Sequence, residues 1–216
     1  MSPFLLILSF AVFADENPVK VDNEFVKILK VVSKPGAKSK PHIHPTNRVM
    51  VYLDKGAIDI GYEGGKVEHQ KWKPEQVAWS PTGPIHTSHD VGGTAIRVVE
   101  IELKQPAPAT PPKRDPKLDP VAIDPTHNVL LFENGQVRVF RSWREAGKSE
   151  IMHEHTGRGR VVVLLTDISA NVKLVDGTTS EMKMPAGEVR WSEGSTTHAG
   201  TNTGSKRFDM ILVEVK

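Results

Sequence analysis

Six of the nine histidines fall into two sets of the same form: His42, His44 and His86, then His153, His155 and His198. Each set opens with the pattern H-x-H and takes its third member from far down the chain. In a β-strand, residues two apart face the same way, so each H-x-H can aim two imidazoles into one barrel interior. His86 follows the sharp turn Pro81-Thr82-Gly83, which can send the next strand back to complete the triplet. Three neutral imidazoles suit a divalent transition metal and leave a coordination position for water or substrate. The expectation is one such metal per triplet, copper, iron, zinc, nickel or manganese. The chain has no cysteine, so thiolate ligands, disulfides and a cysteine nucleophile are all excluded.

The elements that position these triplets repeat. Val26 to Lys104 lies over Val137 to Lys216 with almost no gaps, which makes the fold a question about a duplicated unit. A constant offset of 111 matches Gly36 with Gly147, His42 with His153 and His44 with His155. One inserted residue then moves the offset to 112, matching Trp79 with Trp191, His86 with His198 and Glu102 with Glu214. Alternating apolar and polar residues predict strands over Val26 to Val32, Arg48 to Leu53, Gln76 to Ser80 and Ile96 to Leu103, with counterparts in the second half. Turn signals such as Pro35-Gly36, Gly64-Gly65, Gly92-Gly93 and Asp176-Gly177 punctuate them, and no long helical period appears.

Composition narrows the class. An apolar fraction of 38% and a charged fraction of 25% describe a globular chain, not a collagen, a coiled coil or a polytopic membrane protein. A net charge of +2 provides no excess positive charge for a phosphate backbone, which argues against a nucleic-acid partner. The apolar run Phe4 to Ala14 is too short for a membrane span and turns abruptly polar. Residues 1–14 read as an export signal, giving a periplasmic or extracellular protein with no membrane span in the mature chain. Seven of the sixteen prolines lie between Pro106 and Pro125. The expected organisation is a first domain over 15–105, a proline-rich linker over 106–125 and a second domain over 126–216.

The segments GAKSKPHIH and PTGPIH resemble the two motifs of the cupin superfamily, G-x5-H-x-H-x3,4-E-x6-G and G-x5-P-x-G-x2-H-x3-N. The spacings Gly36-x5-His42, Gly147-x5-His153 and Pro81-x-Gly83-x2-His86 all fit, and the resemblance covers both halves. It implies an all-β bicupin: two tandem double-stranded β-helix (jelly-roll) barrels, each binding metal through its three histidines. The chain departs from the pattern where the motif glutamate should stand, with Arg48 in one half and Arg160 in the other. Arginine stays protonated and cannot ligate, so a three-histidine site remains, similar to those of thiol and gentisate-type dioxygenases. Asp90 replaces the motif asparagine of the first half, and Asn202 keeps it in the second.

Arg48 and Arg160 are read as substrate-binding residues, whose planar forks would hold a carboxylate or phosphate beside the metal. The competing reading turns them outward at the barrel rim to pair with an acidic neighbour. Glu154, between two histidines, should point away from the metal by strand alternation. Trp79 and Trp191 are expected to pack in the core. His89 is read as a loop residue, and His69 and His127 are given no role. No residue is marked as a general base. The function expected is an exported metal-binding bicupin acting as a metal-dependent, dioxygenase-like oxidoreductase on a small anionic substrate. The alternative is a secreted module that binds metal or a small ligand and catalyses nothing. A homo-oligomer is compatible with either.

Overall fold

The computed structural model describes residues 18–216, so the export-signal expectation over residues 1–14 lies outside the described residues. The first half runs through β1 (Val19–Asp22), β2 (Val26–Ser33), β3 (Arg48–Tyr52), β4 (Gly56–Tyr62), β5 (Val67–Trp72), β6 (Gln76–Ser80), β7 (His86–Asp90) and β8 (Ile96–Leu103). After a single helical turn, α1 (Pro120–Ile123), the second half runs through β9 (Asn128–Glu133), β10 (Val137–Arg144), β11 (His153–His155), β12 (Gly159–Leu164), β13 (Ile168–Leu174), β14 (Thr179–Met184), β15 (Val189–Glu193), β16 (Thr196–Asn202) and β17 (Phe208–Val215).

The duplication expected from the sequence is explicit in the topology. The five-stranded sheet of the first half, β6-β3-β8-β2-β1, has the same order as β15-β12-β17-β10-β9 in the second. The smaller sheets correspond likewise, β7-β4-β5 to β16-β13-β14, with the first histidine of each triplet bridging to the third at the sheet's edge. The fold is all-β, built as tandem double-stranded β-helix barrels. Contacts divide the chain into two compact units: residues 18–19 with 28–100, and residues 20–27 with 101–216.

Each barrel interior is filled mainly from one face of its larger sheet, with Trp72 of β5 and Ile168 of β13 added from the smaller sheets. In the first, Met50, Tyr52, Trp72, Ile96 and Val98 pack together, with the Tyr52 and Trp72 rings stacked 4.2 Å apart. In the second, Phe140, Val162, Leu164, Ile168, Phe208, Met210 and Leu212 form the equivalent cluster. Strand register orders that inner face into rows. Arg138, Glu214, Arg160 and Ser192 lie side by side across β10, β17, β12 and β15, and Phe140, Leu212, Val162 and Arg190 form the next row. The row of Ser142, Met210 and Leu164 follows. One end of the barrel is therefore polar and its depth apolar. The other face of the sheet buries Val139, Val161, Val163, Ile211 and Val213 completely, so β17 is buried along its whole length. A strand covered on both faces carries a near-continuous apolar run.

None of β4, β5 and β7 announces itself by alternation: β7 was expected only as the returning strand that carries His86, and β4 and β5 were not expected. Their segments GAIDIGY, VEHQKW and HTSHD carry few large apolar residues because their outer face meets solvent. The end of the proline-rich stretch is also ordered against its own unit. The Asp119 carboxylate caps α1 at the Val121 amide and takes both bonds of a forked contact from Arg138 Nη2, at 2.8 and 3.0 Å.

Candidate metal centre

Both triplets assemble. The ligand atoms of His42, His44 and His86, and those of His153, His155 and His198, each lie within 4.8 Å of one another. Ring centroids within the first set stand 4.9, 4.5 and 5.4 Å apart, and within the second 4.9, 4.6 and 5.2 Å. The backbone explains this agreement. His42 exchanges both main-chain hydrogen bonds with His86 at 2.9 Å, and His153 faces His198 in the β11–β16 register. The turn feeding each H-x-H needs a left-handed residue, supplied by Gly36 (φ +76°) and Gly147 (φ +72°). Their amides bond the carbonyls of Asp90 and Asn202, both at 3.0 Å, tying each turn to the strand that carries the third histidine.

Hydrogen bonds on the far nitrogens fix which atom each ring offers. His153 Nδ1 donates to the Ile151 carbonyl at 2.8 Å, and His42 Nδ1 donates to the Lys40 carbonyl at 2.9 Å, two residues back in both cases. His86 Nδ1 donates to the Pro84 carbonyl at 3.0 Å. His155 Nδ1 donates to Glu214 Oε1 at 2.8 Å. A carbonyl or an ionised carboxylate only accepts, so these four rings carry their proton on Nδ1 and present a bare Nε2, His155 doing so with Glu214 ionised, above its raised value of about 7. His153 Nε2 and His155 Nε2 then face each other across 3.1 Å with no proton between them. Two lone pairs at that separation repel unless a cation lies between, and one metal bonded to each nitrogen at about 2.0–2.1 Å spans the gap. The second triad thus fits a metal held by imidazole. Its carboxylate–histidine pair is the arrangement that orients a metal-bound imidazole and raises its basicity.

The arginines differ between halves. Both are buried rather than turned out at the rim, Arg48 at 8% and Arg160 at 9% exposure, but Arg48 does pair with an acidic neighbour, Glu100, as the competing reading held. Arg48 spends both terminal nitrogens, and only its Nε is buried without a partner. Its Nη1 donates to Glu100 Oε2 at 2.9 Å and stands 2.9 Å from both ring nitrogens of His44, while Nη2 donates to Ser80 Oγ at 3.0 Å. Arg160 Nη1 is buried with no hydrogen-bond partner among the described residues. Burial pushes the Arg160 guanidinium down to about 10, which leaves it charged at neutral pH. Burial, and then the charge of Arg48, lowers His44 to about 4. His198 falls to about 3, chiefly through burial, and His155 is held well below the ordinary imidazole range by burial and then by Arg160. These rings are neutral at pH 7, the state in which imidazole ligates.

Each triad opens into a cavity, about 440 Å³ in the first barrel and about 480 Å³ in the second. In the second, Arg160, Ser192 and His198 stand above Phe140, Val162, Met210 and Leu212. Trp79 and Trp191 sit opposite Val49 and Val161, on the sheet face away from the arginines. Glu154 alternates away from the buried rings of its neighbours, as expected. His69 bonds Asp59 and His127 bonds Asp124, both outside the triads. His89 lies in β7 rather than in a loop.

The sequence reading gave no role to Glu100 or Glu214. Both lie at inward positions of β8 and β17, where carboxylates in a period-two apolar series, Glu100 and Glu102 after Ile96 and Val98, and Glu214 after Phe208, Met210 and Leu212, are the signal that could have found them.

No protein-family model matches the chain, and no curated protein matches it. Solved structures do. The chain is similar to AerE from Microcystis aeruginosa, at 14% identity and a TM-score of 0.60 over 92% of this chain and 96% of that one. It is also similar to the oxalate decarboxylase of Bacillus subtilis, in a structure concerned with that enzyme's Mn(II) centres, at 13% identity and a TM-score of 0.62 over 88% of this chain and 69% of that one. At such identities the likeness carries the fold, the cupin-type jelly roll. The site rests on the residues themselves.

Proposed function

We propose that this chain is a metal-dependent double-barrel protein of the bicupin type, exported from the cytoplasm, in which histidine triads hold a divalent transition metal beside a pocket for a small anionic substrate. The observation that carries the reading is the pair of bare Nε2 atoms of His153 and His155, 3.1 Å apart and each locked by a bond on Nδ1. The chain's own residues divide the work. His153, His155 and His198 would hold the metal in the second barrel, and His42, His44 and His86 in the first. Glu214 orients His155 through Nδ1. Arg160 supplies the unspent guanidinium donor that a carboxylate would take, and the apolar depth of the cavity excludes water. A bound transition metal supplies a Lewis acid with open positions for small ligands, the basis of a dioxygenase-like oxidoreductase assignment. The Mn(II) centres of the oxalate decarboxylase, a structural neighbour, favour a metal in this fold.

The test is elemental analysis of the protein after refolding with a mixture of divalent metals, beside the double variant His44→Ala/His155→Ala. Metal retained through dialysis by the wild type and lost from the variant supports the reading. Wild-type protein that retains none would overturn it.

A further inference from the structure

We infer that the two triads are not equivalent: Arg48 is a built-in cation that holds His44, the second imidazole of the first triad, so the second triad takes metal first and the first takes it only when Arg48 is drawn away. This rests on the metal-binding reading and adds an order of loading to it.

The two sites differ most at one ligand, although His198 Nδ1 also lacks the carbonyl partner that His86 Nδ1 has in Pro84. His155 meets a carboxylate on Nδ1 and keeps Nε2 bare, whereas His44 has a guanidinium nitrogen 2.9 Å from both of its ring nitrogens. A guanidinium never accepts and does not give up its proton, and a nitrogen equidistant from both ring nitrogens lies over the imidazole face, so it is packed directly against the ring that a metal would use. It also places a fixed positive charge beside the position a dication would occupy. The four other contacts that set the geometry, at His42, His86, His153 and His155, all favour a bare Nε2. Of these rings His44 alone meets a cationic donor; the group 3.3 Å from His42 Nδ1 is the neutral Ser39 hydroxyl.

A single residue accounts for the difference. Under the repeat, Arg48 corresponds to Arg160 and Glu100 corresponds to Leu212. Glu100 points into the first barrel and takes Arg48 Nη1 at 2.9 Å, fixing the guanidinium against His44. Ser80 holds the other branch. In the second barrel Leu212 is apolar, no carboxylate stands at that depth, and among the described residues no hydrogen bond joins Arg160 to His155, on which it acts through its charge alone. The first barrel therefore has its cation internally neutralised, while the second has an open cation and an open triad together.

Cobalt(II) titration of the full-length chain, read by its visible absorption and by calorimetry, tests this without any assay of activity. The wild type should show one tight equivalent and a second at least tenfold weaker. His155→Ala should abolish the tight phase, and His44→Ala should leave it in place. Arg48→Met, which keeps the stem and removes the guanidinium, should bring the weak phase to within a few-fold of the tight one. Two equal phases in the wild type, or a weak phase unmoved by Arg48→Met, would overturn the inference. Loss of the tight phase in His44→Ala but not in His155→Ala would also overturn it. No binding in any form would remove the metal reading itself, and this inference with it.

Discussion

Replacing Glu214 by glutamine changes one atom and should cost the second triad its metal affinity. Glu214 Oε1 accepts from His155 Nδ1 at 2.8 Å, and Oε2 faces Arg138 Nη1 at 3.5 Å, with all three side chains at most 5% exposed. A carboxylate serves both donors, while an amide has one acceptor oxygen. If that oxygen serves Arg138, the amide NH2 meets His155 Nδ1 donor to donor. The ring must then move its proton to Nε2, the nitrogen 3.1 Å from His153 Nε2. If the oxygen serves His155 instead, the amide opposes a buried guanidinium and the charge assistance is lost. Loss of an outer partner of this kind lowers metal affinity about 10- to 100-fold, or about 1.4–2.7 kcal/mol. The fold should persist, because Arg138 keeps its two bonds to Asp119 at 2.8 and 3.0 Å. Calorimetry at pH 8 is the assay, since burial raises Glu214 to about 7 against the opposing pull of Arg138. An affinity equal to wild type in a folded variant would refute the role assigned to Glu214.

Other consequences concern stability and anion binding. Asp90 is 2% exposed and its Oδ2 has no partner, whereas the corresponding Asn202 amide donates to the carbonyls of Arg144 and Lys206, both at 2.9 Å. Asp90→Asn should therefore stabilise the protein by about 1–3 kcal/mol, the cost of an unmet buried polar group, and a lower urea midpoint would count against this. The metal-free protein should lose stability in acid. Burial depresses His198 to about 3 and His155 well below 6.5, so both stay neutral in the fold after the unfolded chain begins to protonate. Their contribution is complete above pH 6.5 and falls by about 1.4 kcal/mol per group per pH unit below it, down towards the folded values. A urea midpoint that stays flat from pH 7 to pH 5 would contradict this. Arg160→Met should weaken formate binding to the metal-loaded protein about 10- to 150-fold, the worth of a charged hydrogen bond, while Arg48→Met leaves that affinity unchanged. Equal effects of the two variants in a formate titration would show that the barrels do not divide the anion in this way.

Much of this architecture is legible in the chain because repetition amplifies weak signals. The matched glycines Gly36 and Gly147 make a left-handed turn, and the matched first and third histidines make a cross-strand bridge. The shared strand face expected of each H-x-H is formed by β11 in the second half and only by an isolated bridge at His42 in the first. The direction of the arginines was not legible in the same way. A cation beside a metal looks unfavourable in isolation, which argues for an outward turn. The answering carboxylates, Glu100 for Arg48 and Glu214 beside Arg160, come from the last strand of each half, where they are hidden among apolar residues. Nor could alternation reveal β4, β5 and β7, whose solvent-facing positions dilute the apolar signal. The difference between the barrels lies in one pair of aligned positions, Glu100 and Leu212. Its effect appears only once the inner faces are assembled and Arg48 is seen to reach His44.

The central claim is that these imidazoles hold a metal, and pulsed electron paramagnetic resonance of the protein loaded with one equivalent of Cu(II) tests it most directly. The far nitrogen of each bound ring modulates the copper signal, so bound imidazoles can be counted. The account predicts modulation from more than one equivalent imidazole, lost in His153→Ala/His155→Ala/His198→Ala and retained in His42→Ala/His44→Ala/His86→Ala. Copper with no imidazole modulation, or with modulation unchanged in the first triple variant, would contradict it.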